Sequence, residues 1–127
     1  MVIKSYDEIL AWKKAIGIAR MIYAETKKYP LSKDYGLCDQ MRRASVSIGS
    51  NIAEGFERGG NKEFIRFLYI AKGSAGELRT QIIIAKITGL INEITCLEVK
   101  KEIEHLLRLI GSFIAYLKTH TTNTRHF

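Results

Sequence analysis

Hydrophobic residues recur three and four positions apart along most of this chain, which is the spacing of one face of an α-helix. Turn signals at Pro30, Gly59-Gly60 and Gly89 divide the pattern into four segments. Each segment opens near a residue that can cap a helix, and the first helix is predicted to run to about Tyr29. Ser5 with Glu8, and Thr95 with Glu98, have capping-box spacing. The predicted caps are Ser5, Ser32, Asn61 and Thr95.

The apolar stripe of each segment predicts one layer of a helix-bundle core. The stripes are Ile9, Trp12, Ile16, Ala19 and Tyr23; then Leu37, Met41, Ala44, Ile48, Ile52 and Phe56; then Phe64, Leu68, Ala71, Ala75, Leu78, Ile82 and Ala85; then Val99, Ile103, Leu106, Ile110, Phe113 and Leu117. No strand pattern competes, so we expect an all-α, up-down-up-down four-helix bundle over residues 1–119. Residues 120–127 lack periodicity, and we expect a flexible tail there.

A polar stripe runs beside the apolar stripe of the second segment. Serine, asparagine and glutamine are mediocre helix formers, so their recurrence on one face favours side chains that hydrogen-bond to something. Buried structural hydrogen bonds are the favoured interpretation, while an intersubunit contact and a ligand site stay open. The stripe consists of Gln40, Arg43, Ser47, Asn51, Glu54 and Arg58.

The third segment contains two glycines in its middle, Gly73 and Gly76, on either side of Ser74 and Ala75. Each glycine costs about 1 kcal/mol against alanine in a helix, and close approach of another helix is the usual compensation. The helix that carries the polar stripe is the expected partner. We predict that four charged and polar groups are buried and hydrogen-bonded to one another, within the chain or across a subunit boundary: Arg43, Asn51, Glu54 and Glu77.

Two segments carry more apolar surface than one small bundle needs. A helix that is apolar all round must be covered on all sides, so we expect a homo-oligomer. A wide face that stays inside one bundle is the alternative. The residues concerned are Ile82, Ile83, Ile84 and Ile87 in the third segment, with Leu107 and Ile114 in the fourth.

Composition indicates where in the cell the protein is expected. The chain has 127 residues, 46% of them hydrophobic, but no apolar run approaches the ~20 residues that span a bilayer. The opening MVIKSYDEILAWKK has charges where a signal peptide needs an apolar core. We therefore expect a cytoplasmic protein with no membrane partner. Cys38 and Cys96 form no CxxC motif and are expected to be small buried side chains.

Motifs for catalysis or metal binding are missing. Glu102 and His105 have the E-x-x-H spacing of di-iron bundles, but such a site needs that step twice. There is no GxxxxGK and no strand-led GxGxxG. We expect a non-enzymatic protein without metal, cofactor or small-molecule substrate. An enzyme built on Glu54, Glu77 and Arg43 is a minor alternative.

The net charge of +7 favours an anionic partner. Two lines of cations recur every seven residues, which is close to two helical turns, so each line follows one helix face. Such lines suit contacts with the phosphate backbone of a nucleic acid. We expect RNA or DNA as the partner, with RNA favoured. The alternative is a structural or protein-interaction module whose basic faces only keep it soluble. The lines are Lys13, Arg20 and Lys27, and Lys72, Arg79 and Lys86.

The stretch SVSIGSNIAEGFER, preceded by QMRRA and followed by EFIRFLYIAKGSAGEL, resembles the four-helix-bundle proteins encoded in bacterial 23S ribosomal RNA intervening sequences. The opening LAWKKA, with Tyr29-Pro30 and Tyr35-Gly36-Leu37, is similar too. The resemblance covers roughly residues 6–89.

This resemblance implies a bundle that assembles as a ring, a homopentamer, without an established biochemical activity. It extends to a nucleic-acid-binding relative, the accessory protein of diversity-generating retroelements. The positions that match the family pattern are Gln40, Arg43, Ser47, Asn51, Glu54 and Gly55, with Gly73, Ser74 and Glu77; their role in the family is unknown.

Overall fold

Four long helices account for most of the chain in the computed structural model, which describes residues 3–120 apart from the side chain of Asp7. They are α1 (Leu10–Glu25), α2 (Tyr35–Glu57), α3 (Asn61–Ile87) and α4 (Glu93–Thr119). Short 3-10 turns at Tyr6–Glu8 and Leu31–Lys33 precede α1 and α2. No strand occurs within residues 3–120. Successive helices pack on each other, α2 on α3 most extensively, and α4 returns to α1, which confirms the all-α four-helix bundle.

The helix ends show which turn signals were interpreted correctly. Gly59 and Gly89 have φ values of 90° and 79°, so both act as the left-handed stops that glycine favours. The caps differ from the prediction, because Asp34 and Asn92, rather than Ser32 and Thr95, accept the free backbone N–H groups that open α2 and α4. Asn61 is likewise the first residue of α3 and not its cap.

The start and end of the first helix also differ from the prediction. The Glu8 carboxylate accepts hydrogen bonds from the backbone N–H groups of Lys4 and Ser5, but this arrangement opens the 3-10 turn, and α1 begins only at Leu10. At its other end α1 stops at Glu25, four residues before the predicted end. The predicted tail 120–127 lies, except for His120, outside the described residues.

The core stripes of α2, α3 and α4 are largely confirmed, since most of their members are fully buried. The predicted stripe of α1 is confirmed for Ile9, which is buried, but is wrong along the helix itself. Its buried face consists of Ala11, Ala15, Ile18 and Ile22. Ile16 and Tyr23 keep 46% and 40% of their surface exposed. Helix α1 has apolar residues at helical spacing on two adjacent faces, and periodicity alone does not tell which face packs inward.

One glycine sets the distance between α2 and α3. A Cβ atom at Gly55 would lie 2.6 Å from the Cβ atom of Phe67 and 3.1 Å from Cδ1 of Phe64. By contrast, a Cβ atom at Gly73 or Gly76 would meet nothing within 4 Å. The predicted packing of α2 on α3 is therefore right, but the close approach is at Gly55 and not at the glycines of α3.

The apolar surplus is partly internal. Ile114 is buried and Leu107 half-buried, so the wide apolar face of α4 belongs to the core of one protomer. Where α3 ends and α4 begins, large apolar side chains remain exposed. We call them the α3–α4 apolar patch: Ile84, Ile87, Ile94 and Leu97. Among the described helices, none combines the length and apolarity needed to cross a bilayer.

Candidate nucleic-acid interface

The first line of cations lies on the outer face of α1 and in the turn that follows it. Lys13 and Arg20 project opposite the buried alanines and isoleucines and are about 10.5 Å apart along the helix axis. Lys27 is exposed too, but it lies two residues beyond the end of α1 at Glu25, so the prediction that all three cations follow one helix face is wrong for Lys27. The exposed small residues Gly17 and Ala24 separate them. Within residues 3–120, none of the three cations forms an ion pair or a hydrogen bond through its side chain. This surface therefore presents three uncompensated positive charges that are separated by small side chains. We call it the α1 line.

The second line, on α3, is different because α4 supplies counter-ions. Arg79 donates hydrogen bonds from Nε and Nη2 to Oε2 of Glu104, at 3.1 and 2.9 Å. Lys86 Nζ lies 3.7 Å from a carboxylate oxygen of Glu93. Lys72 is exposed and has no carboxylate partner among the described residues. Two of the three charges in this α3 line are thus neutralised inside the protomer.

A further cation, which the spacing pattern on α1 and α3 did not single out, stands beside the α1 line. Arg42 of α2 donates from Nε to the hydroxyl of Thr26, at 2.9 Å. Its guanidinium carbon lies 5.0 Å from the centroid of the Tyr23 ring. The sequence pattern placed Tyr23 in the core, whereas its ring is exposed and lies under the Arg42 guanidinium. The contact joins α1 to α2, so helical spacing along either helix does not indicate it.

The polar stripe of α2 has a structural role in its central part. The hydroxyl groups of Ser47 and Ser74 are hydrogen-bonded across the two helices at 3.0 Å. The amide of Asn51 donates to both the carbonyl oxygen and the hydroxyl of Ser47, at 2.8 and 2.9 Å. The Ser47–Ser74 bond joins α2 to α3, and the two Asn51 bonds, both within α2, hold Ser47 from the next turn. They match the favoured interpretation of the stripe for these residues.

The predicted buried network of charges is wrong within the protomer. Arg43 is exposed and pairs with Asp39, one turn earlier on the same helix, at 3.0 Å. Glu54 is also exposed and pairs with Arg58 at 2.7 Å. Glu77 is exposed, as is Gln40 at the start of the stripe, and neither belongs to a buried network. These long side chains lie on the solvent side of the α2–α3 contact, where pairing one turn away replaces pairing between helices.

The family-pattern residues Gly55 and Glu54 do have an identifiable local role. Gly55 admits the Phe67 side chain, and the guanidinium groups of Arg58 and Arg66 lie over the Phe67 ring at 5.0 and 4.5 Å from its centroid. Glu54 holds Arg58 in place from the preceding turn. This part of the pattern thus stabilises the packing of α2 on α3 next to the turn that connects them.

The remaining candidate chemistry resolves into structural contacts. Glu102 accepts a hydrogen bond from Lys14 Nζ at 2.7 Å, and this bond holds the pKa of the Glu102 carboxyl below its usual value. Cys38 and Cys96 are buried as expected, and burial raises the pKa of the Cys38 thiol. In the part of the chain that the structure describes, no group of three or more His, Cys, Asp and Glu side chains is arranged to hold a metal ion.

The fold and surface define a four-helix bundle with one uncompensated basic helix face. The sequence profile of the family described as 23S rRNA-intervening sequence protein matches residues 7–112. The chain therefore belongs to this family, which confirms the resemblance found in the SNIAEG stretch.

A solved structure and a comparison with curated proteins complete the picture. The chain is similar to the crystal structure of a protein with unknown function from the S23 ribosomal protein family of Bacteroides thetaiotaomicron VPI-5482. The TM-score is 0.77 at 22% identity, over 84% of this chain and 96% of that one. At this identity the likeness shows the fold alone. No curated protein matches this chain.

Proposed function

We propose that this protein is a non-enzymatic, cytoplasmic, ring-forming bundle that binds nucleic acid, RNA above all, through the α1 line. The observation that carries the proposal is the state of Lys13, Arg20 and Lys27, which are exposed and unpaired within residues 3–120. A protein binds nucleic acid by exchanging the counter-ions on phosphates for its own cations, and a cation already paired with a carboxylate contributes little to that exchange. The α1 line is therefore the stronger candidate, and the α3 line the weaker.

Assembly of several protomers makes three contacts useful. Three phosphate contacts give weak binding, whereas a ring presents the α1 line once for each subunit and gains avidity. The α3–α4 apolar patch supports self-association, because Ile87 and Ile94 keep 70% and 69% of their surface exposed in the protomer. A closed ring covers such surface without growing into fibres. We propose that the ring is a homopentamer.

Light scattering coupled to size exclusion tests the assembly. We expect the wild-type protein to elute as one oligomer at tens of micromolar, and the double variant Ile87→Lys, Leu97→Lys to dissociate while keeping its helical spectrum. Both side chains are exposed in the protomer, so their replacement leaves the fold intact. A wild-type monomer at that concentration would contradict the proposed ring.

Two triple variants of equal charge test the binding face. One replaces Lys13, Arg20 and Lys27 by Gln, and the other replaces Lys72, Arg79 and Lys86 by Gln. At ~0.1 M salt, three single-strand phosphate contacts contribute about a hundredfold in affinity, so the α1 variant should bind a labelled RNA at least that much more weakly. The α3 variant should lose much less, although its net charge falls by the same amount.

The comparison between the two variants is decisive because total charge is held constant. Equal losses would show that only overall charge matters, and no loss in either variant would show that the basic faces serve solubility alone. The second outcome would favour the alternative function, a structural or protein-interaction module that uses the α3–α4 apolar patch. Thermal unfolding of both variants provides the control for folding.

A further inference from the structure

A groove of about 540 Å³ opens between α1 and α2, beside the α1 line. It is lined by Tyr23, Asp39, Arg42, Arg43, Val46 and Ser47. We propose that this groove is a binding site for one unpaired nucleotide of a single-stranded nucleic acid, with the base stacked on Tyr23 and the phosphate held by Arg42. The inference rests on the proposed function and adds to it the class of strand that is bound.

Arg42 is a positioned cation with free donors. Thr26 is only 2% exposed, and its hydroxyl donates to the carbonyl oxygen of Ile22 at 2.7 Å while it accepts from Arg42 Nε. This chain of two hydrogen bonds, together with the Tyr23 ring under the guanidinium, fixes the side chain. Neither Nη group has a hydrogen-bond partner among the described residues. A guanidinium that is already ordered pays less entropy when its remaining N–H groups bind phosphate oxygens.

The floor of the groove suits a base. The Arg42 guanidinium covers part of the Tyr23 ring. Even with that cover Tyr23 keeps 40% of its surface exposed and Val46 keeps 47%, so a base has apolar surface to stack on beside the guanidinium. Base stacking on an aromatic ring tolerates every base, because each base has a π face. A duplex hides these faces inside its own stack. The groove therefore predicts a preference for single strands, which the cations of the α1 line alone do not provide.

The charge and position of the groove agree with a strand that follows α1. Arg20 lies one turn before Tyr23 on α1, and Lys27 lies four residues after Tyr23 in the turn that follows the helix. Tyr23 is thus between these two cations along the chain, and a nucleic-acid backbone that contacts both of them passes the mouth of the groove. The acidic residue in the lining, Asp39, is paired with Arg43 at 3.0 Å. The groove thus offers the unpaired guanidinium of Arg42, while Asp39, the carboxylate in its lining, is already neutralised by Arg43.

The test measures binding of a labelled single-stranded RNA and of a duplex with the same sequence. The wild-type protein should prefer the single strand. Tyr23→Leu keeps apolar bulk but removes the ring, and it should weaken single-strand binding about fivefold or more while leaving duplex binding unchanged. Tyr23→Phe keeps the ring and should bind like the wild type.

Two arginine variants give a second, independent readout. Arg42→Gln should reduce the slope of log affinity against log salt for the single strand by about 0.7, the value of one phosphate contact. Arg66→Gln is the matched control, because Arg66 lies on α3 outside the groove and is already paired with Glu63, so its slope should change much less. Melting temperatures of all four variants verify folding.

Several outcomes would overturn the inference. They are equal affinity of the wild type for both probes, equal losses on both probes in Tyr23→Leu, unchanged single-strand binding in that variant, and equal slopes for the two arginine variants. Competition of free adenosine monophosphate as strong as that of the RNA would also overturn it, since the site would then recognise a free nucleotide. If any of these outcomes occurs but the α1 triple variant loses binding to both probes, the groove proposal fails and the proposed function stands.

Discussion

Two substitutions of the same kind, Gly55→Ala and Gly73→Ala, should change stability in opposite directions. Both glycines lie inside long helices, so each alanine gains about 1 kcal/mol of helix propensity. At Gly73 the added methyl group meets no atom of the protomer within 4 Å, so the gain should be realised in full. With an unfolding entropy of about 2.1 cal/mol/K per residue, this gain raises the melting temperature of a chain of this length by about 4 °C.

At Gly55 the same methyl group has no space. It would stand 2.6 Å from the Cβ atom of Phe67, whereas carbon atoms pack at about 3.5–4.0 Å. A Cβ atom cannot rotate away, so α2 and α3 must separate by about 1 Å. Overpacking of this kind costs about 1–3 kcal/mol. Because the obstacle is rigid, we take the upper value, which leaves a net loss of about 2 kcal/mol and a melting temperature about 7 °C lower.

Thermal unfolding followed by circular dichroism measures both variants, at one protomer concentration because assembly adds to apparent stability. Helix propensity cancels between the two substitutions, so the gap between their melting temperatures, about 11 °C, reports the packing at Gly55 alone. Shifts in the same direction, or a Gly55→Ala variant as stable as the wild type, would refute the α2–α3 geometry described here.

Two predictions concern charged side chains. Glu54→Ala should cost less than about 1 kcal/mol in urea unfolding, because Glu54 and Arg58 form an exposed pair one turn apart, and a loss near 3 kcal/mol would restore the buried network. For Glu102, the hydrogen bond from Lys14 lowers the folded-state pKa below the unfolded value of about 4.3, so its stabilisation is present above that pH and is lost as the pH falls through the folded pKa. Glu102→Gln should therefore be less stable than wild type at neutral pH and equal to it once the carboxyl is protonated in both states; an equal deficit at both pH values would contradict this.

The fold was predictable from local pattern because the signals that define each helix lie within or next to that helix. Gly59 and Gly89 mark left-handed stops, and the stripes of α2, α3 and α4 have one apolar face each. The failure on α1 has a physical reason, since Ile18 and Ile22 lie on the packed face while Ile16 and Tyr23 lie on the outer one. Both faces carry large apolar side chains at helical spacing, so the pattern fits either face.

The state of the two basic lines was not predictable, because it depends on pairs that are distant in sequence. Glu104 reaches Arg79 from 25 residues away, and only the register of α4 against α3 brings them together. Without that register, the α1 and α3 lines are identical in spacing and charge. The same limit explains Gly55, whose crowding comes from Phe67 on the following helix.

The most direct test of the central claim is the salt dependence of RNA affinity in the wild type and in the variant with Gln at positions 13, 20 and 27. If two neighbouring protomers neutralise about six phosphates of a single strand, affinity should fall about 300-fold between ~50 and ~200 mM salt. The variant should lose most of this slope while its melting temperature stays that of the wild type. Binding that does not depend on salt, or a slope that survives the loss of the three cations, would contradict the account.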